Sequence, residues 1–207
     1  MSRDGPQNGP KLLLIRHGQI RANAESRWHG STDSPLTRSG RRQAAHIARH
    51  LSRTPAIDAV YSSPLKRCRV TAVAIAAAVG RSIVVDDDLR EYGVGQWEDL
   101  PYRQLADEHD FFKRIGSDPD YAPLGGDSVN AVARRIVPAL ARIHALHRGA
   151  STVAVVGHGA ALAIALAALL DGDPGRWTHY PLANCSITEL VLSPEPLIAA
   201  FNRTEHL

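Results

Sequence analysis

Apolar positions along the chain fall into two alternating patterns, short unbroken runs and longer stretches with a helical period. The first run, Lys11 to Ile15 in KLLLIRHGQI, is too apolar for a loop and too short for a membrane span. It reads as a buried strand ended by Arg16, His17 and Gly18. After a polar loop through Pro35, Thr37 reads as an N-cap, and Ala44, Ile47, Ala48 and Leu51 recur at helical spacing. Asp58 to Ser62 predicts a second strand, Leu65 to Val79 a helix stopped by Gly80, and Ile83 to Val85 a third strand. From Arg90 to Gly126, glycines and prolines break the pattern around one helix at Tyr102 to Arg114. Residues 92–126 therefore read as a lid or substrate-facing excursion.

Beyond it, Asp127 is expected to cap a long helix whose Val129, Val132, Ile136, Leu140 and Ile143 form one stripe toward the sheet, with a kink at Pro138. Thr152 to Val156 is another wholly apolar strand, and Ala160 to Leu170 is a helix apolar on every side, hence deeply packed. Ile187 to Leu192 and Leu197 to Phe201 close the chain as two strands. The repeated strand-then-helix order predicts an α/β fold. It is a three-layer α/β/α sandwich around a mostly parallel central sheet of about six strands, covered on both faces.

Composition narrows the class. At 207 residues and 44% hydrophobic, the chain can bury one substantial core, so residues 11–207 read as a single domain. Residues 1–10, MSRDGPQNGP, are polar and rich in Pro and Gly with no apolar segment, which predicts a disordered tail and not a signal peptide. A net charge of +3, without a cationic tract, argues against a nucleic-acid partner, and the longest apolar stretch is too short to span a bilayer. Cys68 and Cys185 lie far apart with no CxxC spacing, which fits two core thiols in a reducing compartment and so a cytoplasmic location.

Two strands end alike, the first in Arg16-His17-Gly18 and the other in Gly157-His158-Gly159. Each sheet end thus offers an imidazole flanked by residues that let backbone approach a ligand. With Arg16, and with Arg67 near the start of the helix after SSPLK, the candidate group becomes two imidazoles and two guanidiniums. That set suits a phosphoryl group.

Four blocks of the chain carry a family likeness: RHGQIRANAESRWHGSTDSPLTRSGRRQA, VYSSPLKRCRVTA, LREYGVGQWED and VVGHGA. In this order they resemble the motifs of the histidine phosphatase superfamily, its phosphoglycerate mutase-like branch, and the closing FNRTEHL also resembles a common ending there. The chain departs from the pattern at Gln19 (usually Glu), His29 (usually Gln) and Asp99 (usually Gly). Asp tolerates left-handed backbone, so the last departure is expected to cost little.

The resemblance implies a phosphoglycerate mutase-like fold, no cofactor and no metal, a small phosphomonoester as partner, and a homodimer. It implies His17 as the nucleophile, esterified through a ring nitrogen while the other nitrogen donates to a backbone carbonyl. Arg16, Arg67 and His158 would hold the equatorial phosphoryl oxygens, with Asn23 as an uncharged donor beside them. Losing one arginine is expected to cost at least ~tenfold in rate, given ~1.5 to 3 kcal/mol per charged hydrogen bond. Glu91, in LREYGVGQWED, matches the proton donor and would need a raised pKa.

Three readings compete: a phosphatase, a phosphoglycerate mutase sharing the same half-reaction, and a non-catalytic phospholigand-binding module. Family mutases carry a longer insertion with adjacent arginines, whereas the compact Tyr92 to Gly126 segment has only Arg103, Lys113 and Arg114 as basic residues. This favours the phosphatase. A facial metal set of His17, His158 and Glu91 is disfavoured by the flanking arginines, whose charge repels a dication.

Overall fold

The computed structural model describes residues 9–53, 57–147, 149 and 151–207. Apart from Gly9 and Pro10, the expected N-terminal tail lies outside the described residues. The elements follow as β1 (Lys11–Arg16), α1 (Arg21–Ala24), α2 (Arg38–Leu51), β2 (Ile57–Ser62), α3 (Lys66–Val79), β3 (Ile83–Val85), α4 (Tyr102–Asp107), α5 (Phe111–Ser117), α6 (Val129–Leu146), β4 (Thr152–Gly157), α7 (Gly159–Leu170), β5 (Ile187–Val191) and β6 (Leu197–Arg203). Three short 3₁₀ turns lie at Asp87–Leu89, Gly95–Trp97 and Pro174–His179.

The six strands form one sheet in the order β3-β2-β4-β1-β5-β6. β1, β2, β3 and β4 are mutually parallel, while β5 runs against both β1 and β6. The mostly parallel sheet is therefore as expected. Its central strands alternate between two cores. Leu12, Leu14, Val153 and Val155 face α6 and α7, and Leu13, Ile15, Ala154 and Val156 face α2 and α3. A strand buried on both faces needs apolar residues at every position, which explains the unbroken runs in the sequence.

Most predicted ends hold. Thr37 Oγ1 accepts from the Gly40 amide at 3.0 Å and starts α2. Gly80, at φ 67°, stops α3 in the left-handed region, where any other residue would be strained. Two expectations are corrected. In place of one helix from Tyr102 to Arg114 the chain makes α4 and α5, because Asp110 takes φ 51° and a right-handed helix cannot continue through it. The cap of α6 is Ser128, whose side chain accepts from the Ala131 amide at 3.1 Å, not Asp127. Asp127 is drawn away to accept from the Gly93 amide at 3.1 Å and to face Arg135 at 3.5 Å. The stripe of α6 is fully buried against the sheet, as predicted, and Pro138 lies inside the helix. Among the described residues no helix is long and apolar enough to cross a membrane.

Candidate active site

The strand order decides where the two histidines go. β1 and β4 are neighbours in register, with Arg16 opposite Gly157, so His17 and His158 emerge side by side at the carboxyl edge of the sheet. Their ring centroids are 5.3 Å apart in an edge-on contact. Gly18 lets the chain turn away at once, because a Cβ there would fall 2.5 Å from the Gly40 carbonyl oxygen at the start of α2.

The His17 ring is 3% exposed, and its Nδ1 lies 2.7 Å from the Gly18 carbonyl oxygen. A carbonyl can only accept, so Nδ1 carries the proton and Nε2 keeps the lone pair. Burial, then the charges of Arg67 and Arg16, push the His17 pKa well below the ordinary histidine value, and the neutral ring persists into acid. His158 is completely buried and differently held. Arg67 Nε donates to its Nδ1 at 3.2 Å, which places the proton on Nε2, 2.7 Å from Ser63 Oγ. Its pKa is also pushed well down, chiefly by burial and then by Arg67.

Arg67 is 0% exposed and stands behind the histidines rather than in the open cavity. Besides His158, its guanidinium donates to the carbonyls of Thr32 at 2.6 Å, Gly30 at 2.7 Å and His29 at 3.2 Å. Four of its five N–H groups are spent this way. The same loop is gripped from the other side by Glu98, whose carboxylate accepts from the amides of Gly30, Ser31 and Thr32 at 3.0, 2.9 and 3.1 Å. Carbonyls bound to one ion and amides to the other leave the loop little freedom.

Arg16 does line the cavity. Its Nη1 donates to the Leu182 carbonyl at 2.6 Å, while its Nε is sealed from solvent and has no hydrogen-bond partner among the described residues. Asn23 lies beside it. Its Oδ1 accepts from the Ile20 amide and from Asn184 Nδ2, both at 3.1 Å, so its own amide hydrogens are the free end. Asn184 also donates to the His17 carbonyl at 2.9 Å and so ties these residues together.

Glu91 faces the same cavity at the N-terminus of α7. Its carboxylate accepts from the amides of Ala161 at 2.8 Å, Tyr92 at 2.9 Å and Ala160 at 3.3 Å. A negative charge is favoured at that end of a helix. Arg135, on α6, holds the loop beneath it by donating to the carbonyls of Arg90 at 2.6 Å, Glu91 at 2.7 Å and Asp88 at 3.0 Å.

The cavity encloses about 400 Å³. Arg16, His17, Asn23 and Glu91 line it, together with Trp28, Tyr102, Phe112, Trp177 and Tyr180. The excursion over residues 92–126 thus supplies Tyr102 and Phe112 to the wall. Sequence reasoning missed Ser63, Glu98, Arg135 and the segment 177–182. Glu98 stood in a quoted motif, but the loop amides it grips at Gly30, Ser31 and Thr32 lie 66 to 68 positions away. No local pattern could reveal them.

Residues 12–202 match the histidine phosphatase superfamily (branch 1). The chain belongs to that superfamily. It is 36% identical over 200 residues to a bifunctional protein of Mycobacterium tuberculosis, covering 95% of this chain and 55% of that protein. The chain thus spans about half the length of that relative. A probable phosphoglycerate mutase of Klebsiella pneumoniae is 34% identical over 192 residues, 92% of this chain and 88% of the other. Among solved structures of the superfamily, a mycobacterial glucosyl-3-phosphoglycerate phosphatase with VO3 superposes with a TM-score of 0.84 at 30% identity, covering 94% and 99% of the two chains. A phosphoserine phosphatase of Entamoeba histolytica with 3-phosphoglyceric acid gives 0.83 at 28% identity, covering 96% and 99%.

Two departures from the superfamily pattern, 70 positions apart in sequence, meet in space. His29 Nε2 is 2.8 Å from Asp99 Oδ1, and its Nδ1 is 2.6 Å from Ser34 Oγ. Asp99 adopts φ 63°, the left-handed geometry expected of it.

Proposed function

We propose that this chain is a metal-independent phosphatase that hydrolyses small phosphomonoesters through a phosphohistidine on His17. One observation carries the reading: an imidazole with its Nε2 lone pair unspent shares a cavity with the guanidinium of Arg16 and the carboxylate of Glu91.

In the first half-reaction His17 Nε2 attacks phosphorus, and the P–O bond to the alcohol breaks. Glu91, protonated once the negative phosphoryl group offsets the amides that hold its carboxylate, gives its proton to the departing oxygen. Negative charge gathers on the three equatorial oxygens, where Arg16 and the Asn23 amide donate directly. His158 turns its Nε2–H from Ser63 Oγ to a phosphoryl oxygen as the group binds, and Arg67 adds its charge from behind. In the second half-reaction the Glu91 carboxylate takes a proton from water, the oxygen of that water attacks phosphorus, and the N–P bond breaks to release inorganic phosphate. Two fixed cations near His17 disfavour a divalent ion there.

The likeness to a probable phosphoglycerate mutase favours a second reading, in which a substrate hydroxyl replaces water. The two are separated by rapid quench with a ³²P-labelled ester. A base-stable, acid-labile label that is absent in His17→Ala, released as inorganic phosphate in EDTA, supports the phosphatase. Faster transfer to 3-phosphoglycerate than to water assigns the mutase, and binding without any label assigns a non-catalytic module.

A further inference from the structure

The cavity concentrates its charge at the floor and its rings at the wall. We infer that the alcohol half of the substrate carries an uncharged aromatic group, seated against Tyr102, Phe112, Trp177 and Tyr180; this rests on the phosphatase reading above. The wall is built before any ligand arrives. Trp28 is its hub, buried, with its indole N–H donated to the Tyr92 carbonyl at 3.0 Å. The rings of Tyr92, Tyr102, Phe111, Phe112 and Trp177 surround it at centroid distances of 5.5 to 6.3 Å. Such a cluster holds its members in place, so a planar group can stack on the open faces with little ordering cost. A cavity of about 400 Å³ accommodates a phosphoryl group together with a ring system.

The charge inventory points the same way. Among the described residues lining the cavity, the cations, imidazoles and carboxylates are Arg16, His17, His29 and Glu91. Arg16 and His17 serve the phosphoryl group. Both ring nitrogens of His29 lie within hydrogen-bond distance of Ser34 and Asp99, and the Glu91 carboxylate would repel another anion. Basic side chains close by in sequence turn to other partners, Arg103 to Asp107 and Arg176 to Asp171. Among the described residues that line the cavity, no further cation stands ready for a carboxylate or a second phosphate, which an acidic leaving group would need.

Steady-state kinetics with esters of simple alkyl alcohols test this, because their leaving groups are chemically alike and all pass through one phosphoenzyme. 2-Phenylethyl phosphate is expected to exceed O-phosphoserine and 3-phosphoglycerate in kcat/KM by about 100-fold or more, the scale of a buried ring against an unpaired anion. Trp177→Ala and Tyr102→Ser should each lower 2-phenylethyl phosphate about tenfold more than ethyl phosphate. Tyr102 is partly exposed, so its variant keeps the test alive should the Trp177 variant fail to fold. Equal or better turnover of the acidic esters, or equal losses on both alkyl esters, overturns the aromatic assignment and leaves the phosphatase standing. No turnover of any ester and no label on His17 would overturn both.

Discussion

The ends of β1 and β4 carry nearly the same local sequence, a histidine followed by glycine at the carboxyl edge of a buried parallel strand, yet their histidines are held in opposite ways. His17 spends one nitrogen on the neighbouring Gly18 carbonyl and keeps the other. His158 spends both, one on Arg67 and one on Ser63. The difference lies wholly in partners from elsewhere in the chain, since Ser63 and Arg67 come from the β2–α3 connection and the first turn of α3. A nucleophile needs an unshared lone pair, while a donor needs a fixed N–H, and the tertiary contacts leave two equivalent imidazoles suited to the different roles proposed for them.

The strongest challenge to this asymmetry is substitution of each histidine. His17→Ala should lose at least ~10⁴-fold in kcat/KM and all phosphoenzyme, whereas His158→Ala should lose ~10² to 10³-fold and still acquire label slowly. Equal losses, with no label in either, would remove the distinction. Arg67→Ala comes next. It strips a donor from His158 and from three loop carbonyls, so activity should fall ~100-fold and unfolding free energy by about 3 kcal/mol in a urea titration. Arg67→Lys should rescue little, because an ammonium cannot span four acceptors arranged around a planar fork.

The pH dependence sharpens the electrostatic part. The His17 pKa is lowered, so protonation, which destroys the nucleophile, occurs only when pH falls well below 6.5. For an ester whose own ionisation is corrected for, kcat/KM should lose no activity to this group between pH 7.5 and 6. An acid limb centred at or above 6.5 and abolished in no other variant would contradict the burial argument. The same sign governs stability: both buried histidines bind protons more readily unfolded, so stability is full above 6.5 and declines as pH drops below it.

Ser63→Ala tests a smaller effect, chiefly the orientation of His158. It should lower kcat by about tenfold with KM nearly unchanged, as expected for a group acting in the transition state. Smallest of all is the His29–Asp99 contact, whose Asp99 is largely exposed. Replacing the pair by Gln and Gly should change stability by no more than ~1 kcal/mol, with a double-mutant cycle giving their coupling.

Much of the site was legible before any fold was known. The two strand-end histidines, Arg16, Asn23 and Glu91 stood in motifs, and each comes to the same edge of the sheet; His17 and His158 meet through the pairing of β1 with β4. Arg67 was legible as a residue but not as a geometry, since its acceptors lie 35 to 38 positions away in a loop without regular pattern. The break between α4 and α5 was hidden for a related reason. Asp110 has no sequence mark that forces a left-handed backbone, and packing of Phe111 and Ile115 into the core sets where the second helix begins.

By itself the amino-acid order determined the alternation of strand and helix, the faces that must be buried, and which residue types stand at strand ends, because period and apolarity act between neighbours a few positions apart. The tertiary structure alone decided that β4 lies beside β1, that an aromatic cluster roofs the charged floor, and which imidazole keeps its lone pair. Those outcomes depend on hydrogen bonds and packing between segments dozens of residues apart, and such pairings exist only once the sheet has closed.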